Sequence, residues 1–399
     1  MSHAPKKVLK SPLEEQDFLP FSRPTIDEGA IEEVVSCLRS GWITTGPRVQ
    51  QFESDLMAYV KAPHAIAVSS GTGALYMVLK ALGLSEGDEV ITTPFTFIAT
   101  LNAIELAGAK PVLVDIDPKT YNLDLQQVEK AITDKTRVIL PVHFAGLPVD
   151  LDPLYALANK KNLVVLEDAA HAIGTQYKGR PIGSFGHVQI FSFHPNKTMT
   201  TGEGGAITFH DEVHKKTMVG QKFHGIMQDA WDRFTKKGSQ AYDVAFPAFK
   251  FNMMDIQAAI GIHQLKSLDS FIEKRTKLAH AYLEAMGNWE EFTFTQKPAF
   301  DCKHSWHLFA PLINPEKAGM DRDTFMAKMK EHNIGTGLHY QPAHLFSYYK
   351  NKYGYKCGSF PQTEDVASRI VSLPLFPLIT SDDQKRVVST IAKIFGKKA

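Results

Sequence analysis

The sequence predicts an α/β protein: a large domain on a mainly parallel sheet, then a smaller α/β domain. Two observations carry this. Short, fully apolar runs alternate with segments whose apolar residues recur at helical spacing. That alternation implies a parallel sheet with helices on both faces. One helical pattern, from about Asp255 to Met286, is much longer than the others, and after it the strand-like and helical segments start afresh. The division is placed at residues 18–265 for the large domain and 266–399 for the small one, completed by the N-terminal segment.

The elements follow in order. Thr25 to Glu28 reads as a capping box. Ile31, Val34, Val35 and Leu38 then recur at helical spacing, and Gly41 ends the helix. Strand–helix pairs come next: "AIAVSS" with "ALYMVLKAL", "EVITT" with "FIATLNAIELAG", "PVLVDID" with "LDLQQVEKAI", and "RVILPVHF" with "DPLYALANKK". The series closes on "LVVLED", "VQIFSFH" and "GGAITFH". The small domain reads as "SWHLFAPLI", "TFMAKMKEH", "IGTGLHY" and a last helix opened by Ser381 and Gln384 as a second capping box. There is no internal repeat and no low-complexity tract.

Composition narrows the class. The 399 residues are 44% hydrophobic and 22% charged, ordinary for a globular chain of this size. A formal charge of +1 gives no field to steer the chain to nucleic acid or an anionic membrane. The basic pairs Lys6–Lys7, Lys160–Lys161, Lys236–Lys237 and Lys397–Lys398 are short and read as solvated faces. Cys37, Cys302 and Cys357 are odd in number and far apart, which suits reduced thiols rather than zinc ligands or a disulfide framework. The N-terminus lacks the apolar core of a signal peptide, and no apolar run spans a bilayer. The expectation is a soluble cytoplasmic protein with no metal.

In parallel sheets, ligands gather at the carboxyl ends of the strands, and four such ends stand out. In "AIAVSSGTGAL", Ser70 to Gly73 let backbone approach a ligand, and a helix start favours phosphate, though tight packing alone explains such glycines too. In "VVLEDAAHAIG", Asp168 closes a strand, either as a helix cap or as a carboxylate aimed at a cationic ring nitrogen. In "QIFSFHPNKTMTTGEGG", Ser192 closes a strand and Lys197 follows in a glycine-rich loop, where a lone lysine is usually a solvated charge. In "TTPFTFIAT", Phe95 and Phe97 are either a staple onto the next helix or a plate for a flat ring.

Taken together, these pieces fit one ligand better than four unrelated roles. Pyridoxal phosphate needs a phosphate cradle, an aromatic plate, a carboxylate for its pyridine nitrogen, and a lysine amine for its aldehyde. The lysine must be deprotonated to attack, and desolvation beside a cationic ring lowers its pKa.

The blocks "SSGTGAL", "TTPFTFIATLNA", "LEDAAHAIG", "SFHPNKTMTTGEGG" and "FKFNMMDIQAAIGIHQLKSLD" resemble the nucleotide-sugar aminotransferases of the DegT/DnrJ/EryC1/StrS family. The resemblance covers roughly Phe18 to Phe395 and implies the aspartate-aminotransferase (type I) fold. It makes Lys197 the cofactor-bound lysine and the general base, and Asp168 the partner of the ring nitrogen. It sets His171 near the ring's hydroxyl side and Phe97 on the ring. Thr72, Gly73 and Ser192 would hold the phosphate, and His339 would line the sugar pocket. Asn252 would reach the neighbouring subunit's phosphate, so a homodimer would share its sites. Within the family, "FLPFSRP", "SGWITTGP", "IGTGLHY" with "PAH", and "SLPLFP" are similar to the branch that makes UDP-4-amino-4-deoxy-L-arabinose for lipid A modification. Two positions depart from that branch: Phe97 where it carries Trp, and Gln341 where it carries Arg.

The implied reaction moves an amino group from glutamate, leaving 2-oxoglutarate, to the 4-keto carbon of a nucleotide-linked sugar. UDP-4-keto-pentose is the first acceptor to consider. A dTDP-, UDP- or GDP-linked 4-keto-6-deoxyhexose is the alternative. A cofactor-dependent sugar dehydratase and a non-catalytic sensor are further readings. Lysine rather than histidine at position 197, together with Asp168, argues for transfer.

Overall fold

The computed structural model describes residues 18–227 and 242–397. Lys6–Lys7, Lys236–Lys237 and Lys398 lie outside the described residues, as does the N-terminal stretch read above for a signal peptide.

Seven strands form the central sheet: β1 His64–Val68, β2 Glu89–Thr92, β3 Lys110–Leu113, β4 Thr136–Ile139, β5 Val164–Asp168, β6 Val188–Ser192 and β7 Gly205–Phe209. Their spatial order is β1-β7-β6-β5-β4-β2-β3. The run from β6 to β3 is parallel, and β7 lies antiparallel to both β6 and β1.

The helices of this part are α1 Glu28–Ser40, α2 Pro47–Val60, α3 Gly71–Ala81, α4 Ala99–Ala107, α5 Leu125–Ala131, α6 Leu151–Lys161, α7 Lys215–Lys222 and α8 Asp255–Met286. Strand side chains alternate between two cores, as the pleat requires. Ala67, Ile91, Ile139, Val165 and Phe191 pack with α2, α5, α6 and the start of α8. Ile66, Val90, Val138, Leu166 and Ile190 pack with α3, α4 and Met218 of α7. Burial on both faces is the reason these strands read as unbroken apolar runs.

Two caps differ from expectation. Asp27, not Thr25, caps α1, with Oδ1 accepting the Ala30 N–H at 2.8 Å. The last helix, Ser381–Ile394, is capped one residue earlier than expected, by Thr380 in a reciprocal box with Asp383. In both cases a short side chain adjacent to the first helical residue reaches the third N–H best. Gly41 closes α1 as expected, at a φ of 74°.

The C-terminal part departs further. "SWHLFAPLI" and "IGTGLHY" do not build regular strands. They supply a two-residue pairing of Phe292–Thr293 with Leu312–Ile313, and single bridges such as Phe309–Leu373 and Gly337–Ser372. A third core joins the end of α8 to Phe309, Phe325, Val387 and Ile391. Leu19 belongs to it: its N–H donates to Asn333 O at 2.9 Å, and its carbonyl accepts from Gly335 at 2.8 Å. Among the described residues all three cysteines are free, no acidic, His or Cys cluster could hold a metal, and no helix is long and apolar enough to cross a membrane.

Candidate active site

The carboxyl ends of β1, β2, β5 and β6 open onto one cavity of about 360 Å3. Thr72, Phe97, Asp168, His171, Ser192, Lys197 and His339 all line it. One residue expected there does not, since Gly73 lies off the cavity wall; Asn252, expected to serve the neighbouring subunit, also lies off the wall of its own chain's cavity.

The corner at the start of α3 depends on small residues. Ser70 caps α3 by accepting the Gly73 N–H at 3.0 Å, so that N–H is already satisfied. A Cβ on Gly73 would meet the Phe251 ring at 2.9 Å, so its glycine serves packing. Gly71 lies against Ser192, where a Cβ would come within 3.0 Å of the serine Cβ. At Gly205 a Cβ would stand 2.6 Å from Gly71 N. These absences let the first turn of α3 sit across the ends of β6 and β7. The turn brings its dipole and free N–H groups to the cavity beside the Thr72 and Ser192 hydroxyls.

Asp168 ends β5 in a turn rather than at a helix, so it caps nothing. Its Oδ2 accepts from Thr100 Oγ1 at 2.9 Å and its Oδ1 from the Ala170 N–H at 3.1 Å. Burial pushes this carboxyl up, while both donors and the Lys197 charge pull it back. Lys197 projects from a tight turn, its N–H donating to His194 O at 2.9 Å. Burial lowers its amine to about 8, with Asp168 opposing the shift. The hydroxyls of Thr200 and Thr201 are spent on holding the loop: Thr200 Oγ1 donates to Phe193 O at 2.9 Å and Thr201 Oγ1 to Glu203 O at 2.7 Å, whereas the buried Thr198 Oγ1 has no partner among the described residues.

Of the two phenylalanines, Phe95 packs into a core that contains no residue of α4, so it is not a staple onto that helix. Phe95 is fully buried against Phe144, with ring centroids 5.0 Å apart. Phe97 is 58% exposed on the cavity wall, 6.2 Å from the Tyr340 ring. A large ring left open on a cavity wall is available for stacking. His339 is held by Ser372 Oγ at 2.9 Å from Nδ1, and burial pushes its imidazole down to about 4. His171 is buried and held well below its ordinary value by desolvation and by the Lys197 charge.

Sequence reasoning missed Thr100 and Tyr340, both on the cavity wall. Each left a faint signal. Thr100 is a polar residue inside the apolar "FIATLNA", and Tyr340 directly follows His339. Asn252 is buried outside the cavity. Its Nδ2 donates to Thr45 Oγ1 at 2.6 Å and its Oδ1 has no partner among the described residues.

A buried carboxylate, a desolvated amine, an open aromatic face and a helix N-terminus around one cavity match the donor set of pyridoxal phosphate. The comparison with known proteins agrees. The model of the DegT/DnrJ/EryC1/StrS aminotransferase family matches residues 24–392. This chain belongs to that family. It is 43% identical to the spore coat polysaccharide biosynthesis protein SpsC of Bacillus subtilis, over 94% of this chain and 97% of the relative. It is 41% identical to the UDP-4-amino-4-deoxy-L-arabinose–oxoglutarate aminotransferase of Shewanella sediminis, over 96% and 99%. Among solved structures, Spr1654 of Streptococcus pneumoniae in its PLP form superposes with a TM-score of 0.87 at 32% identity, covering 95% of this chain and 99% of that one. As a member of the DegT/DnrJ/EryC1/StrS family, the protein is a pyridoxal-phosphate-dependent sugar aminotransferase with the type I fold.

Proposed function

We propose that the protein transfers the amino group of glutamate to the 4-keto carbon of a nucleotide-linked sugar. The acceptor is UDP-4-keto-pentose and the product UDP-4-amino-4-deoxy-L-arabinose, used in lipid A modification. The observation that carries the transferase chemistry is Lys197 and Asp168 on one cavity, beside the cradle of Thr72, Ser192 and the α3 N-terminus. The activity for which the Shewanella sediminis relative is named favours the pentose. Phe97 and Gln341, in place of the tryptophan and arginine of that branch, keep a 4-keto-6-deoxyhexose on UDP, dTDP or GDP as the alternative acceptor.

When bound, pyridoxal phosphate supplies an aldehyde that takes up an amino group and a ring that accepts an electron pair. The chain's residues do the rest. The α3 N-terminus, Thr72 and Ser192 fix the phosphate. Phe97 stacks on the ring, and the Asp168 carboxylate holds the proton on its nitrogen. Lys197 Nζ takes the proton from the glutamate α-carbon and returns one to the sugar C4, which needs an amine that is neutral near physiological pH. His171 sits at the ring's hydroxyl side, and His339 lines the sugar pocket.

We infer a cytoplasmic homodimer in which each chain works as two domains, 18–265 and 266–399. The domains are joined by α8, in which Ala258, Ile262 and Leu265 pack in one core and Ala279, Tyr282 and Met286 in another, while Leu268 and Ile272 carry the first core past residue 265. The dimer is supported by an apolar row left open on α1, Ile31, Val35 and Leu38, and by exposed Phe249 and Met254 close in sequence to Asn252. Asn252 would donate to the partner's phosphate.

The test is one screen: UDP-, dTDP- and GDP-4-keto sugars, each with glutamate, read by 2-oxoglutarate formation. Turnover with UDP-4-keto-pentose alone supports the proposal. Turnover only with a hexose moves the assignment to the alternative. No 2-oxoglutarate with any acceptor leaves the dehydratase or sensor reading.

A further inference from the structure

Tyr340 stands in the cavity with its hydroxyl committed in an unusual way. The tight turn Phe144–Gly146, with Ala145 at a φ of 57°, directs the Ala145 N–H onto His171 Nδ1 at 3.2 Å. That nitrogen therefore accepts and carries no proton. The imidazole is neutral, so its one proton is on Nε2. Nε2 lies 2.9 Å from Tyr340 Oη, and it must be the donor. Tyr340 Oη accepts there, and its own proton is left to point elsewhere. Among the described residues the hydroxyl has no other hydrogen-bond partner.

The surroundings fix what could receive that proton. Asp168, His171, His194, Lys197, Glu203 and His339 are the titratable groups that share the cavity wall with Tyr340, and His307 packs on His171. His171, His307 and His339 are held neutral by burial. Asp168 is occupied by Thr100 and Ala170, and its charge, with burial, keeps the Tyr340 phenol protonated. His307 packs on the His171 ring with centroids 4.3 Å apart and neither nitrogen bonded, so it blocks any swing of His171 away from Tyr340. The result is a fixed donor aimed into the cavity beside His171.

We propose that Tyr340 donates its hydroxyl proton to the ring oxygen of bound pyridoxal phosphate, with the Ala145–His171 pair setting the direction of that donation. This rests on the reading that places His171 at the ring's hydroxyl side. A donor at that oxygen stabilises its anionic form, so the bound group loses its proton at lower pH. Tyr340 is thus a binding residue that tunes the cofactor, and His171 is its positioning residue.

The test uses purified holoenzyme and Tyr340→Phe, which keeps the ring and its packing. The visible absorption of the bound cofactor is titrated from acid to alkaline pH in both. The midpoint should rise by about one pH unit in the variant. Affinity for pyridoxal phosphate should fall by about tenfold, the worth of one hydrogen bond to a charged group. A cofactor analogue lacking the ring hydroxyl should bind wild type and Tyr340→Phe equally, which a general loss of packing would not give. An unmoved midpoint, or an equal affinity loss for the analogue, overturns the proposal. Borohydride trapping separates the two failures. Cofactor fixed on Lys197 with an unmoved midpoint sinks the Tyr340 assignment alone, whereas cofactor fixed elsewhere sinks the site reading beneath it.

Discussion

Thr100 Oγ1 donates to Asp168 Oδ2 at 2.9 Å, and Thr96 Oγ1 stands 2.8 Å from Thr100 Oγ1. With the Thr100 proton given to the carboxylate, Thr96 must donate to Thr100, so the start of α4 feeds a two-hydroxyl chain into the end of β5. The chain stabilises the charged form of a carboxylate that burial would otherwise neutralise. Thr100→Val keeps the shape and removes the donor. It should lower kcat by about tenfold, in line with a hydrogen bond to a charged group. Steady-state kinetics at saturating glutamate check this, and an unchanged kcat would show that Asp168 needs no help from α4.

Replacing Asp168 itself should cost more. Asp168→Asn removes the charge while keeping the shape, and losing such an electrostatic partner costs on the order of a hundredfold or more in rate. A near-normal rate would reduce Asp168 to a structural residue of the β5 turn.

Lys197 makes cofactor loading depend on pH in a defined window. With the amine lowered to about 8, roughly 10% is neutral at pH 7, against about 0.03% for an unperturbed lysine. Only the neutral amine attacks an aldehyde. The rate at which cofactor-free protein captures pyridoxal phosphate should therefore climb to about pH 8 and level off there, without climbing on towards the ordinary lysine range. Stopped-flow absorbance reads the profile. Lys197→Ala should show no covalent capture and no turnover.

Gly205→Ala tests the packing beneath the anion corner. Its Cβ would meet backbone atoms, Gly71 N and Ser70 C at 2.6 Å and Phe191 O at 2.8 Å, none of which can rotate aside. Overpacking of this kind costs roughly 1–3 kcal/mol, and it should lift the α3 N-terminus off Ser192. Chemical denaturation should report the lost stability, and inorganic phosphate should inhibit cofactor rebinding less well than in wild type. Unchanged phosphate inhibition would detach the glycine from the anion site.

Asn252 bears on subunit sharing. Lys197→Ala and Asn252→Ala chains, each inactive alone, should regain part of their activity when their subunits exchange. In such a mixed dimer one site collects both lesions and the other neither. The physical reason is that a phosphate buried at an interface needs donors from both sides. Mixed dimers confirmed by mass but without activity would confine Asn252 to its own subunit, where Thr45 already holds its Nδ2.

Apolar patterning is enough to read off the sheet and the polar strand ends. Strands buried on both faces, such as Val164–Asp168 and Val188–Ser192, must read as apolar runs. A polar residue at their ends, Asp168 or Ser192, is conspicuous for the same reason. Caps were off by a residue or two because Thr25, Asp27, Thr380 and Ser381 are all competent side chains, and only backbone geometry picks one. The small domain's strands could not be read, since its segments pair through single bridges that leave no alternating pattern. The tertiary structure alone decided how the site is tuned. Thr100 meets Asp168 across 68 positions, and Tyr340 meets His171 across 169. Sequence periodicity carries no record of such pairs, because they arise where separate strand ends and loops converge on one cavity. It also separated Gly73 from its neighbours, turning its N–H to Ser70 and leaving the cavity to Gly71 and Thr72. A backbone donor's direction is set by the helix it starts, and residue type alone does not encode it.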